Sequence, residues 1–150
     1  MAGPAFKRPE SVLVVVHSGG RVLLLERRSP PGFWQSVTGS LEEGESTEAA
    51  AIRELAEETG LAAAGLKDIR LVQRFPILPE WSSRFEPGVR ENVEHAFALE
   101  LADTVDPALR REEHLAFRWL SAGDALALAS SWTNRNAIRQ IYDIDGLETG

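Results

Sequence analysis

The sequence predicts a mixed chain, an α+β fold built as an α/β/α sandwich, and three observations predict it. Short aliphatic and β-branched runs recur near the start, in the middle and after residue 113. One sharply bounded amphipathic helix lies between the first runs and the later ones. Two more helical patterns close the chain, so strands and helices are interspersed rather than segregated.

Taken in order, "SVLVVVH" and "RVLLLERR" flank "SGG", the pattern of two antiparallel strands joined by a tight glycine turn. "SPPG" breaks the run, and "FWQSVT" reads as a third short strand leading into the acidic loop "GSLEEGE". Ser46 suits an N-cap, residues 47–59 a helix, and Gly60 its left-handed stop. At about 100° per residue, Glu54, Glu57 and Glu58 share one sector of that helix, with Ile52, Leu55, Ala56 and Thr59 expected opposite them as the buried side. Downstream, "LKDIRLVQRF", "NVEHAFALELA" and "EHLAFRWL" read as strands, and "SAGDALALAS" and "WTNRNAIRQIYDI" as helices. Between the first two of these strands, "PILPEWSSRFEPGVRE" is a long loop mixing Trp81 and Phe85 with Arg84 and Arg90, and loops of that length are more often functional than accidental.

Composition narrows the function classes. A chain of 150 residues, 43% hydrophobic and 26% charged, with no repeat, low-complexity tract or linker, is expected to form one domain over 1–150. A formal charge of -7 disfavours non-specific attraction to nucleic acid or an anionic membrane, and the absence of cysteine excludes disulfides, thiolate catalysis and cysteine-ligated metals. "MAGPAFKRPE" has no apolar signal core, and "VLVVV" and "VLLL" are too short to span a bilayer, so the expected location is the cytoplasm.

The acidic helix face carries the chemistry. Like charges three and four residues apart repel by a few tenths of a kcal/mol per pair, so an exposed, solvated face is the bland explanation and a bound cation the functional one. Mg²⁺ prefers oxygen ligands and commonly binds through carboxylates and substrate phosphates, which a three-glutamate face suits. From Gly39 the chain reads glycine, five residues, Glu45, seven residues, then "RELAEETGL" through Leu61. This complete pattern resembles the Nudix box, the signature of hydrolases that cleave a nucleoside diphosphate linked to another moiety. The resemblance implies the Nudix fold, a mixed sheet between helices with the box as a loop-helix-loop.

It further implies Mg²⁺ as cofactor, with Mn²⁺ as a substitute, held by Glu54, Glu57 and Glu58. Glu57 or Glu58 would assist as base, Arg53 would orient the glutamates, Glu45 would support the loop, and Gly39 and Gly60 would serve the backbone. The flanking "KRP", "FWQSVTGSLEEGE", "EHLAFRWL" and "SWTNR" resemble Nudix hydrolases that act on a pterin triphosphate and release pyrophosphate. On that resemblance Glu113 is a further metal ligand, with Glu112 its rival, and Lys7, Arg27, Thr38 and Ser131 contact substrate. Residues 75–78, "FPIL", depart from the pattern of that substrate loop, and Trp81 and Phe85 fit a heterocycle wall, the core or a dimer contact. Trp34, Trp119 and Trp132 read as packing residues, and His17, His95 and His114 as structural histidines. The expected partner is a small-molecule triphosphate, a pterin or a nucleotide such as dATP or an oxidised purine nucleotide. A non-catalytic binding module of the same fold is the third reading, and the oligomeric state stays open.

Overall fold

A computed structural model describes residues 6–150; residues 1–5, the first half of the stretch read for a signal core, lie outside the described residues. The apolar run after Glu10 forms β1 (Glu10–Ser18), buried along nearly its whole length, as a strand covered on both faces must be. It is central in a seven-stranded mixed sheet of order β3-β2-β1-β6-β5. The remaining strands are β2 (Arg21–Arg27), β3 (Trp34–Gln35), β4 (Val37–Ser40), β5 (Lys67–Pro76), β6 (Glu91–Glu100) and β7 (His114–Ser121). β1 runs parallel to β6, while β5 with β6, β2 with β7, and β4 with β1 are antiparallel.

The first hairpin forms as expected but pairs only at its turn, His17 with Val22 and Ser18 with Arg21. Beyond those pairs the strands part: β4 takes the first half of β1 and β7 takes β2. "FWQSVT" is accordingly two strands interrupted at Ser36, whose amide and hydroxyl are both bound by Asn134. Alternation along β1 then divides the core. Val12, Val14 and Val16 pack toward α1 (Thr47–Thr59), and Leu13 and Val15 toward α2 (Ala122–Leu128) and α3 (Trp132–Ile141). Helices therefore cover both faces, as the sandwich requires. α1 has the anticipated ends: the Ser46 hydroxyl accepts from Ala49 N–H at 3.1 Å, and Gly60, at φ 73°, donates to the Ala56 carbonyl. The long loop holds one 3₁₀ segment, Pro79–Arg84. Among the described residues no helix is long and apolar enough to cross a membrane.

Candidate active site

One expectation about α1 fails. Its buried arc is Ala50, Ala51, Glu54, Leu55, Glu58 and Thr59, whereas Ile52 is 42% exposed and Ala56 faces solvent. Two of the three glutamates therefore lie within the buried face rather than opposite it. A carboxylate in that position is stable only with partners, and the surrounding chain supplies them.

Arg53 is the main one. Its Nε and Nη2 grip the two oxygens of Glu45, each at 2.8 Å, Nη2 also donates to the Ser40 carbonyl at 3.0 Å, and Nη1 reaches Glu54 at 2.7 Å and Glu57 at 3.4 Å. This fork–fork contact holds the Glu45 carboxyl at about 2 and pushes the guanidinium pKa further up. Glu45 also accepts from the Glu42 amide, so one bidentate pair closes the loop before the helix. Burial pushes the Glu54 pKa up, against the pull of Arg53. Gly39 is required for space: a Cβ there would overlap the Glu54 carboxylate.

Glu58 is almost fully buried, and His114 Nδ1 stands 2.6 Å from its Oε2. The pair lies within ion-pair distance, although neither atom has a well-directed hydrogen-bond partner among the described residues. Burial alone would raise the Glu58 pKa, but His114 and Glu113 outweigh it and leave it below the ordinary carboxylate range. Gln35 Nε2 lies 3.5 Å from the other ring nitrogen of His114. Glu113 reaches the same place from the turn before β7, where a register shift between Glu26 and Arg27 lets Arg28 N–H bond the Glu113 carbonyl at 2.8 Å. Its carboxyl is pushed up to about 7, first by its hydrogen bond with Glu58 and then by burial. Glu57 is more exposed and is shared by Arg53 and Arg110, the latter at 3.5 Å; Arg110 also lies 3.7 Å from Glu113.

Beside the acids stand cations. Lys7 and Arg27 both have their pKa values lowered, first by burial and then by neighbouring arginines, Arg84 among them. The Lys7 amide bonds the Arg84 carbonyl at 2.8 Å, and the Arg27 guanidinium lies 5.5 Å from the Trp81 ring centre and 5.8 Å from that of Phe33. Thr38 donates its hydroxyl to the Val12 carbonyl at 2.8 Å, which leaves it an acceptor toward any ligand. Ser131, at the start of α3, shares a hydrogen bond with the Thr133 hydroxyl at 2.9 Å.

The sequence-selected residues thus fall into two groups. Gly39, Glu45, Arg53, Glu54, Glu57, Glu58 and Glu113 converge with Lys7 and Arg27, while Thr38 and Ser131 lie toward α3. Glu112 and its rival Glu113 are both exposed, and of the two it is Glu113 that meets Glu58. The sequence places Arg84 only within a long loop of functional character and marks His114 as a structural histidine, whereas His114 stands against Glu58 in the site; Arg110 carries no local signal. Glu58, Glu113 and His114 offer atoms within 4.8 Å of one another, and the carboxylate oxygens among them suit a hard divalent cation. Two carboxyls that must share a proton to sit together are also where a cation relieves repulsion.

Acidic ligands for a cation, set beside lysine and arginine on this fold, define the class of hydrolases that act on phosphoanhydrides. The NUDIX domain model matches residues 7–141, and the chain belongs to that family. It is 43% identical over 146 residues to the dihydroneopterin triphosphate diphosphatase of Escherichia coli K12, covering 93% of this chain and 96% of the relative. The Haemophilus influenzae protein of the same name is 38% identical over 90% of this chain and 88% of its own. The solved structure of the E. coli dihydroneopterin triphosphate pyrophosphohydrolase superposes with a TM-score of 0.84 at 43% identity, over 91% of this chain and 97% of that one.

Proposed function

We propose that this Nudix hydrolase converts dihydroneopterin triphosphate to dihydroneopterin monophosphate and pyrophosphate, in the cytoplasm, with Mg²⁺ as its metal and residues 1–150 acting as one domain. The observation that carries the reading is the meeting of Glu54, Glu58 and Glu113 with Lys7, Arg27 and Arg84, carboxylates for a cation next to cations for phosphate. The names and coverage of the relatives supply the pterin.

In this reading Glu54, Glu58 and Glu113 hold the metal, which supplies stabilisation for charge on the phosphoryl oxygens. Lys7 and Arg27, backed by Arg84, neutralise the phosphates that an acidic protein would otherwise repel. Arg53 fixes Glu54 and Glu45 so that the carboxylates need no rearrangement when substrate arrives. His114 orients Glu58 from behind. Glu57, more exposed and held by Arg53 and Arg110, takes a proton from attacking water in this reading. The test compares kcat/KM for pyrophosphate release from dihydroneopterin triphosphate and dATP at equal Mg²⁺. A preference of at least about tenfold for the pterin is expected. An equal or reversed preference would make it a nucleotide enzyme, and tight binding without release a binding module.

A further inference from the structure

The catalytic reading leaves one buried carboxyl unused. Glu94, on β6, is 5% exposed, and its Oε1 makes no hydrogen bond with any described protein group. The register aligns Glu94 with Ser11 on β1 and Gln73 on β5, on the face covered by α3. Of the polar side chains around it only Thr133 acts on the carboxyl, pulling its pKa down against burial, and the others bond among themselves. Asn92 donates to the Ser11 hydroxyl at 2.8 Å, Gln73 donates to the Thr133 carbonyl at 2.9 Å and accepts from Asn136 at 2.8 Å, and Ser131 and Thr133 share a bond. An acceptor left over in an otherwise closed network, in a protein interior, calls for a donor from outside it.

Position says which donor. Ser11 pairs with Ser40 as well as with Glu94, so Glu94 and β4 are two strand spacings apart, about 10 Å. The next residue of β4, Gly39, packs on the Glu54 carboxylate. Thr38, in register with Leu13 on that face, and Ser131 at the start of α3 are both partly exposed. A flat heterocycle lying between β4 and α3 can therefore direct its ring edge at Glu94 while its phosphates reach the acidic cluster. Resting on the pterin reading, we propose that Glu94 is a specificity-determining residue that accepts hydrogen bonds from the ring N–H and exocyclic amino group of a 2-amino-4-oxopyrimidine edge. Pterins and guanine present those two adjacent donors; adenine has no ring N–H on that edge and cannot match them. Burial, which pushes the free Glu94 carboxyl up to about 7, makes an unfilled carboxylate unfavourable and a matched pair of donors correspondingly selective.

The test is Glu94→Gln, which keeps size but replaces one acceptor with a donor. kcat/KM is measured on dihydroneopterin triphosphate, dGTP and dATP. The pterin and dGTP values should fall about 30- to 100-fold relative to the parent, chiefly through KM, with dATP within about threefold. Ratios between substrates within one variant do not depend on how much of the preparation is folded, so a destabilised variant still gives an answer. Equal falls on all three substrates, or unchanged pterin-to-dATP and dGTP-to-dATP ratios, would overturn the inference and leave Glu94 a carboxyl satisfied by solvent. A parent enzyme without pterin preference would instead defeat the proposed substrate. In that case the dGTP-to-dATP ratio of the variant still decides the role of Glu94.

Discussion

Gly39→Ala tests the packing of the site most sharply. The new Cβ overlaps the Glu54 carboxylate, and β4 cannot retreat because Gly39 is paired with Val12 in the sheet centre. Glu54 must therefore rotate away from the 2.7 Å contact with Arg53, both side chains being mostly buried. Overpacking costs about 1–3 kcal/mol, and loss of a charged hydrogen bond about 1.5–3 kcal/mol, less what Arg53 regains from Glu45 and Ser40. A net loss of about 2–5 kcal/mol lowers the melting temperature of a chain this size by roughly 5–15 °C. Displacing a metal-binding carboxylate by about 1 Å should lower turnover by about a hundredfold even where the protein remains folded. Thermal unfolding by circular dichroism and pyrophosphate release at saturating Mg²⁺, corrected for the folded fraction, read the two effects separately. A variant melting within 2 °C and turning over within threefold of the parent would refute the argument, with those limits set at about the size of ordinary surface effects.

Glu113→Gln should lower turnover strongly and shrink the stabilisation that metal plus a substrate analogue gives, while Glu112→Gln stays near the parent in both; identical behaviour of the two would remove Glu113 from the metal site. Mn²⁺ should replace Mg²⁺, Ca²⁺ should bind without comparable turnover, and EDTA should abolish activity, each read by pyrophosphate release. In metal-free protein Glu94 gives a pH signature. Its folded pKa of about 7 lies above that of the unfolded chain, so the stabilisation is complete below about pH 4.5 and is lost as pH rises through about 7. Glu94→Gln should flatten the urea-unfolding stability across that window by on the order of 3 kcal/mol, and an unchanged slope would contradict the dominance of burial over the Thr133 contact at this carboxyl.

How much of this was legible beforehand follows from range in sequence. The helix Thr47–Thr59, its Ser46 and Gly60 ends and the Glu45–Arg53 spacing are local, so the pattern alone placed them. The sidedness of that helix was misread because charge was taken as the mark of the exposed face, and here Glu54 and Glu58 are buried while Ile52 is out. The division of "FWQSVT" at Ser36 depends on Asn134, 98 residues away, and no strand pattern carries that information. His114, Arg84, Arg110 and Glu94 acquire their roles only from tertiary neighbours: a buried glutamate on an alternating strand looks in sequence like any outward-facing charge.

The alternation of β4 has a consequence for how such a protein can change over generations. Gly39 faces the glutamates of α1, whereas the residues on either side of it, Thr38 and Ser40, are in register with Leu13 and Ser11 on the face covered by α3. With the proposed roles, machinery for breaking the anhydride and machinery for recognising the ring would be written on opposite sides of one four-residue strand. Substitutions at Ser11, Glu94 or Ser131 would then alter the proposed ring contacts without touching the Arg53 side-chain network, and the backbone of β4 would keep the two at a constant separation. A lineage can therefore exchange one heterocycle for another in small steps while hydrolysis continues throughout, a freedom that a site built on a single surface would lack.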